Sequence, residues 1–523
     1  MDSSPHPLAP SPVGRRGTRG LFLAVAACAL VPYLPALWNG FAMDDLYIIV
    51  WNPLVHSIQG VWGAFGVPYW PPDLGGQMYR PVPLASFALD WSVTGGHPAL
   101  FHAVNLLWHA GVSVIVTMLA LRFPSPNGRG DQGVRTTALV AGLIFAVHPV
   151  HVEAVANVIG LGELLAAAGV CLAVYAAVVR QSVLWSGAAL LLGLLSKENA
   201  IVAPALIIWA WIVGPPLVQR PDRRAIGAFV TSWVVIAGAY LLARGTVLSP
   251  FERLHATAPI FLGESAFAGR LTALAALVDV ARLLVFPLTL RVDYSPAERT
   301  IVRSLLDVRF ALGLACLALW IVLLVFAWRR KRQLELFGFG WIAIAFLPIS
   351  NLLFSTGVLI AERTLYLPSA GLALAACAAL ARLPAQRLRL VMVVIVLAGG
   401  IRTALRTPVW HDDYAVTRSI LVDSPNSYRG PARMSAIYQS HRQPAQALSA
   451  LRQAAQIYDR DPTLFFAAAD AAITLGRPRL ADTLLLQAEQ LCPHCPGYLR
   501  TQALAARTRG DSAVADSLLA RIQ

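Results

Sequence analysis

Eleven apolar runs, each near the length needed to cross ~30 Å of hydrocarbon, set the limits on what this chain can fold into. They lie at roughly 21–38, 100–121, 137–156, 160–179, 182–196, 199–214, 225–243, 309–328, 335–353, 365–382 and 388–405. A backbone in lipid must satisfy its own hydrogen bonds. The expected fold is therefore all-α: a polytopic transmembrane bundle of about eleven spans. Composition agrees, with 57% hydrophobic and 13% charged residues, where soluble domains carry about 25% charge. The net charge of +14 argues for no nucleic-acid partner, because the arginines gather in short clusters between apolar runs, as they do in cytoplasmic loops. Cys28, Cys171, Cys316 and Cys377 sit singly within apolar runs and read as small core residues. The first run is followed by Trp-Asn-Gly, without small residues at signal-cleavage spacing, and reads as an uncleaved anchor.

Charge orients the bundle. With the tail 1–19 and its Arg15, Arg16 and Arg19 in the cytoplasm, the basic clusters at 122–136, Arg180, 219–224, 328–333 and 381–389 fall on the same side, as the positive-inside rule requires. The segment 271–290 is apolar enough to cross, but a crossing there would turn 328–333 outward, and Asp279 and Arg282 interrupt it. It reads as an interfacial or re-entrant helix. The expected organisation is a cytoplasmic tail (1–19), a transmembrane domain (20–406) with outer loops 39–99 and 244–308, and an extracytoplasmic domain (407–523), in the cell's inner (plasma) membrane among its lipids.

The C-terminal part repeats itself. HRQPAQALSAL (441–451), GRPRLADTLLL (476–486) and GDSAVADSLLA (510–520) align with Ala447, Ala481 and Ala515 at successive separations of 34 residues. That period marks tetratricopeptide repeats, helix pairs stacked into an α-solenoid that binds along its concave face. Cys492 and Cys495, in CPHCP at a repeat boundary, read as a structural disulfide or two loop thiols, since the strand and crossover helix of a redox motif are missing.

Ionisable residues at membrane depth are costly and usually paired or functional, and here they gather at the outer ends of the runs. Asp44 and Asp45 open the first outer loop, which continues through Arg80 and the block FHAVNLLWH (101–109). His148 and His151 stand in HPVHVEAV (148–155), Glu163 in GLGELL (160–165), Lys197 and Glu198 in LLSKENA (194–200), and Glu362, Arg363 and Tyr366 in AERTLYLPSAG (361–371). Each has an ordinary reading beside the functional one: an acidic outer surface for the aspartates, hydrogen-bonded helix interfaces for the histidines, and self-neutralising neighbours for Lys197–Glu198 and Glu362–Arg363. Their convergence on one face favours a site.

The blocks FAMDDLYIIVWNP (41–53), YRPVPLASFALDW (79–91), FHAVNLLWH, FAVHPVHVEAVANVIGLGELLAA (145–168), LLSKENAIVAPAL (194–206), FPLTLRVDYS (286–295) and AERTLYLPSAGL, followed by the repeats, resemble the transmembrane and tetratricopeptide-repeat O-mannosyltransferases in their order. That family belongs to the C-type glycosyltransferases, which use lipid-linked sugars. In GLGELL, Leu161 stands where family members commonly carry arginine. The resemblance implies transfer of a sugar, mannose foremost, from a polyprenyl-phosphate donor to a hydroxyl, with a protein acceptor or partner at the repeats.

Such a reaction needs a base for the hydroxyl proton and cations for the leaving phosphate. Crowding Asp44 against Asp45 beside apolar surface is expected to raise the proton affinity of at least one, and one of the two is the expected base. Arg363 and Lys197 are the expected phosphate ligands, with Arg80, His148, His151, Glu163, Glu198, Glu362 and Tyr366 as further contributors to the sugar or phosphate site. Asp44 and Asp45 are also the residues a divalent cation would use, although two carboxylates do not define such a site. Competing readings are transfer to a surface glycan or lipid, a transporter, and a scaffold that displays the repeats.

Overall fold

The computed structural model describes residues 15–520 apart from 73–75, 77, 125, 127–129, 215–220, 250–256 and 493–495. Most of the N-terminal tail, with His494 and Cys495, therefore lies outside the described residues, while Cys492 is disulfide-bonded. No strand forms among the described residues, and the fold is all-α.

The helices follow the apolar runs. They begin with α1 (Arg15–Leu30), continued by a tighter helical stretch over Val31–Trp38, then α2 (Pro81–Thr94), α3 (Pro98–Ala120), α4 (Gly130–Ala146), α5 (Val152–Ala156), α6 (Leu161–Val178), α7 (Val183–Ser196) and α8 (Ala203–Val213). After these come α9 (Arg223–Leu248), α10 (Ala266–Ala275), α11 (Leu277–Val285), α12 (Val308–Arg329), α13 (Gln333–Phe346), α14 (Tyr366–Leu380) and α15 (Ala385–Arg406). Seven helical stretches among the described residues are long and apolar enough to cross a membrane, or up to eight if the pair bent by 46° between Ala146 and Pro149 is one span. The bend falls at His148-Pro149, where proline removes a backbone donor and disfavours helix in the residue before it. The three remaining runs match the shorter apolar helices Val183–Ser196, Glu198–Val213 and Gln333–Ile349. The segment 271–290 breaks at Ala276 into parts of α10 and α11, of 10 and 9 residues. At 1.5 Å per residue neither reaches across hydrocarbon.

Two helix pairs close up through glycine, as membrane helices do when lipid offers no hydrophobic drive for their association. A Cβ on Gly338 of α13 would stand 2.4 Å from the Gly371 carbonyl oxygen of α14, and one on Gly371 2.6 Å from the Gly338 oxygen. Likewise a Cβ on Gly169 of α6 would lie 2.7 Å from the Ala189 oxygen of α7. Gly338→Val must therefore push α13 off α14. We expect a loss of at least ~1–3 kcal/mol, read as a lowered thermal unfolding midpoint in detergent; an unchanged midpoint would refute the close-packing account.

Beyond α15 the chain forms α16 (Asp413–Asp423), α17 (Arg429–Ser440), α18 (Pro444–Ile457), α19 (Pro462–Thr474), α20 (Pro478–Leu491), α21 (Pro496–Thr508) and α22 (Ser512–Ala520). Helices α18, α20 and α22 start at 444, 478 and 512, and α19 and α21 at 462 and 496, so the sequence period is also the structural one. Ala447, Ala481 and Ala515 are each fully buried.

This helical array is tied to the long segments 39–99 and 244–308. Gly40 N–H donates to the His411 carbonyl at 2.7 Å, and Met43 N–H to Asp413 Oδ1 at 3.1 Å. Ser427 Oγ donates to Asp293 Oδ2 at 2.6 Å, and Tyr458 O–H to the Pro259 carbonyl at 2.7 Å.

Candidate functional site

The stretch Phe41–Asp45 follows the first helical run in a turn that treats its two aspartates differently. Asp45 is buried. Its carboxylate accepts from its own loop, Ala42 N–H at 3.0 Å, and from the turn before α6, Ile159 N–H at 2.9 Å. It is a clamp between two loops. Burial lifts its pKa to about 7, against the pull of the backbone N–H groups and with a smaller push from Asp44. The expected rise in proton affinity thus falls on the aspartate that faces away from the cavities. Met43, at φ 55°, takes a left-handed conformation that costs a non-glycine residue roughly 1–2 kcal/mol, and the Asp413 contact holds it there. Asp44 is turned outward. It lines two adjoining cavities, and its side chain makes no hydrogen bond or ion pair among the described residues.

The raised Asp45 pKa sets a sign for stability. A carboxyl whose folded pKa lies above its unfolded value of about 3.9 binds more protons folded than unfolded, so its contribution is full below ~3.9 and is lost as pH rises through about 7. The unfolding midpoint should fall by a few degrees more between pH 5 and pH 8.5 in the wild type than in Asp45→Asn. Parallel pH dependences would remove Asp45 as the source.

The smaller cavity, about 540 Å³, lies where the loops above α2, α6, α8 and α14 meet, a size usual for small-molecule sites. Asp44, Arg80, Glu163, Lys197, Glu198, Arg244 and Arg363 all line it. Most of these charges neutralise one another across the fold. Arg80 donates to Glu198 Oε2 through Nη2 at 2.9 Å and Nε at 3.2 Å, and its guanidinium lies over the Tyr69 ring, 5.4 Å from the centroid. Lys197 pairs with Glu163, whose other oxygen accepts from Asn199 Nδ2 at 3.3 Å. Arg363 pairs with Glu153 and also donates its backbone N–H to Glu153 Oε2 at 2.9 Å.

Two charged groups are left over. Among the described residues neither Asp44 nor Arg244 makes a side-chain ion pair, and Arg244 Nε is buried without a hydrogen-bond acceptor. One rim of the cavity is apolar, carrying Ile201, Phe346, Ile349 and Phe354, with Ile201 and Phe354 exposed. The cavity is amphiphilic, with charge inside and a greasy edge.

The self-neutralising neighbours are a correction: Lys197 bonds to Glu163 rather than Glu198, and Arg363 to Glu153 rather than Glu362. Backbone direction is the cause: Lys197 is extended just before the turn that starts at Glu198, and Glu362 and Arg363 are consecutive in a tight helical turn, where adjacent side chains do not face each other. Glu362 is turned into the protein, where its Oε1 accepts from Arg291 N–H at 2.5 Å and Tyr294 O–H at 2.9 Å. His148 hydrogen-bonds the Leu284 carbonyl at 2.8 Å and His151 the Ser369 hydroxyl at 2.6 Å. Tyr366 O–H meets His109 Nδ1 at 2.9 Å. These four residues line neither cavity; they join helices. Leu161 is buried among apolar neighbours.

Glu153 and Arg244 were passed over in the sequence. Glu153 lies within the block HPVHVEAV, and Arg244 directly follows the apolar run 225–243, where a lone arginine reads as a helix-end anchor. Among the described residues no three His, Cys, Asp or Glu side chains converge as metal ligands do.

No protein-family model and no solved structure matches the chain. Similar proteins exist by sequence. The human "Protein O-mannosyl-transferase TMTC4" is 28% identical over 460 residues, covering 77% of this chain and 62% of its own length. The Caenorhabditis elegans "Protein O-mannosyl-transferase F38B6.6" is 28% identical over 71% of this chain and 52% of its own length. The mouse "Protein O-mannosyl-transferase TMTC3" is 24% identical over 90% and 54%. The chain thus spans between half and two thirds of the length of these relatives.

Proposed function

We propose that this chain, a relative of the transmembrane and tetratricopeptide-repeat O-mannosyltransferases, moves a sugar, mannose foremost, from a polyprenyl-phosphate donor to a hydroxyl of a protein acceptor at the outer face of the membrane. The observation that carries the reading is the pair of unmatched charges in one cavity: a carboxylate, Asp44, and a guanidinium, Arg244, among ion pairs that are otherwise closed. Transfer to a hydroxyl needs one of each.

In this reading the acceptor oxygen attacks the anomeric carbon and its proton passes to the Asp44 carboxylate. The bond from that carbon to the phosphate oxygen breaks, and the phosphate leaves as an anion. Displacement from the face opposite the phosphate inverts the anomeric configuration. Arg244 supplies a fork of donors suited to two phosphate oxygens. Arg363, held by Glu153, adds positive potential beside Asp44, and Lys197 and Arg80 line the wall. The apolar rim at Ile201 and Phe354 suits the polyprenyl chain, which remains in lipid. Asp45 acts as a positioning residue through the loop that carries Asp44.

The test is transfer by the purified full chain in lipid nanodiscs, with radiolabelled polyprenyl-phosphate mannose and serine- or threonine-containing polypeptides. Labelled polypeptide is the expected product. No transfer from any lipid-linked sugar, together with an Asp44→Asn variant that supports cells as well as the wild type does, would overturn the reading.

A further inference from the structure

The larger cavity, about 840 Å³, runs from Asp44 outward to the helical repeats. It shares Asp44, Val358, Ile360, Ala361 and Arg363 with the smaller one, so the two are arms of one space that meet at Asp44. One wall is the first loop, where Tyr47 and Trp51 are 38% and 59% exposed. The opposite wall comes from α16, α17 and the start of α19, with Tyr428, Ile437 and Leu464 facing the space. The sugar-bearing lipid has its apolar rim in the other arm. This arm leads from the repeats to the reaction centre.

Its charge departs from that of the chain. Six carboxylates line it against three arginines, in a protein whose net charge is +14. All three arginines are engaged: Arg363 with Glu153, Arg429 with Asp293 at 3.3 Å, and Arg433 with Asp413 at 2.7 Å. Among the described residues Asp44, Asp412 and Asp461 have no arginine or lysine partner; Asp412 meets His411 Nδ1 at 2.8 Å, and Asp461 accepts from Tyr428 O–H at 3.0 Å.

Resting on the proposed transferase reading, we propose that this arm holds the acceptor as an extended stretch of polypeptide, and that Asp44, Asp412 and Asp461, which no arginine or lysine neutralises among the described residues, select stretches poor in acidic residues and rich in basic ones around the reacting hydroxyl. A segment laid between α17 and the first loop presents its serine or threonine to Asp44. Glutamate or aspartate beside that residue would meet Asp412 or Asp461 in a partly enclosed space, where like charges repel more than in water.

Asp412 and Asp461 allow a clean test, because both are helix N-caps. Asp412 accepts from Ala415 N–H at 2.7 Å and Asp461 from Thr463 N–H at 3.0 Å. Asparagine caps about as well as aspartate, so Asp412→Asn with Asp461→Asn removes charge and keeps the helices. The experiment measures binding of three fluorescent peptides to the full chain in nanodiscs at low salt, without donor. Each peptide carries one serine, flanked by lysine, by glutamine or by glutamate.

We expect the glutamate peptide to bind about tenfold more weakly than the lysine peptide, and the double variant to shrink that gap to about threefold or less. A control variant, Asp482→Asn with Asp516→Asn in the distal repeats, should leave it unchanged. Equal affinity for all three peptides, no binding, or an undiminished gap in the double variant would each overturn the inference. Binding is read without chemistry, so the two ideas fail separately: charge-ordered binding with no sugar transfer defeats the transferase reading alone, and transfer with no charge order defeats this inference alone.

Discussion

Asp44→Asn is expected to lower sugar transfer by about two to four orders of magnitude, the range over which a positioned base contributes, while the protein unfolds at the wild-type temperature. The second half of that statement follows from the Asp44 side chain having no partner whose loss would be felt. Its neighbour predicts the reverse balance. In Asp45→Asn the new amide group must face one of the two backbone N–H donors, Ala42 or Ile159, that the carboxylate now accepts. A buried donor left unmatched costs roughly 1–3 kcal/mol. That variant should be less stable and only partly impaired in transfer, in proportion to the loosening of the loop that holds Asp44. Rates from single-turnover assays and unfolding midpoints on the same preparations separate the two. An Asp44→Asn variant retaining more than about a tenth of wild-type transfer would remove Asp44 as the base.

Arg244→Gln should raise the KM for the polyprenyl-phosphate sugar about 10- to 100-fold, the equivalent of losing a charged hydrogen-bonding group worth roughly 1.5–3 kcal/mol. It should leave peptide binding untouched, because Arg244 lines only the smaller cavity. Arg244→Lys should recover part of the loss, since lysine keeps the charge and forfeits the planar fork. Truncating Arg80 or Lys197 would instead strand Glu198 or Glu163 without its cation, so those variants are expected to lose stability along with activity. If Arg244→Gln and wild type share a donor KM, the phosphate is held elsewhere and the assignment fails.

Much of the architecture was legible from residue order. The eleven apolar runs each became a helix or a bent helical pair, three of them shorter than a full span, because the demand that lipid places on the backbone acts along consecutive residues and needs no partner to be read. The 34-residue period was legible for a similar reason: Ala447, Ala481 and Ala515 repeat because each helix pair meets the next in the same way. The broken segment 271–290 was foreshadowed by Asp279 and Arg282, which the structure places in ion pairs at its edge, Asp279 with Arg299 at 2.7 Å. The site was legible only as a set of blocks. The histidines and Tyr366 stand in the same blocks as Glu163 and Arg363, and nothing local separates residues that line the cavity from residues that join helices behind it.

Sequence alone therefore determined the all-α membrane bundle, its helical repeats and the segments between apolar runs in which charge would gather, since each depends on hydrophobicity and period along the chain. Tertiary structure decided which charges remain free. Arg363 meets Glu153 across 210 positions of sequence and Arg80 meets Glu198 across 118, and an ion pair exists only where folding brings two groups within a few ångströms. Asp44 and Arg244 stand apart because every other charge lining their cavity found a partner in that way, which is a property of distances in space that no adjacency in the chain encodes.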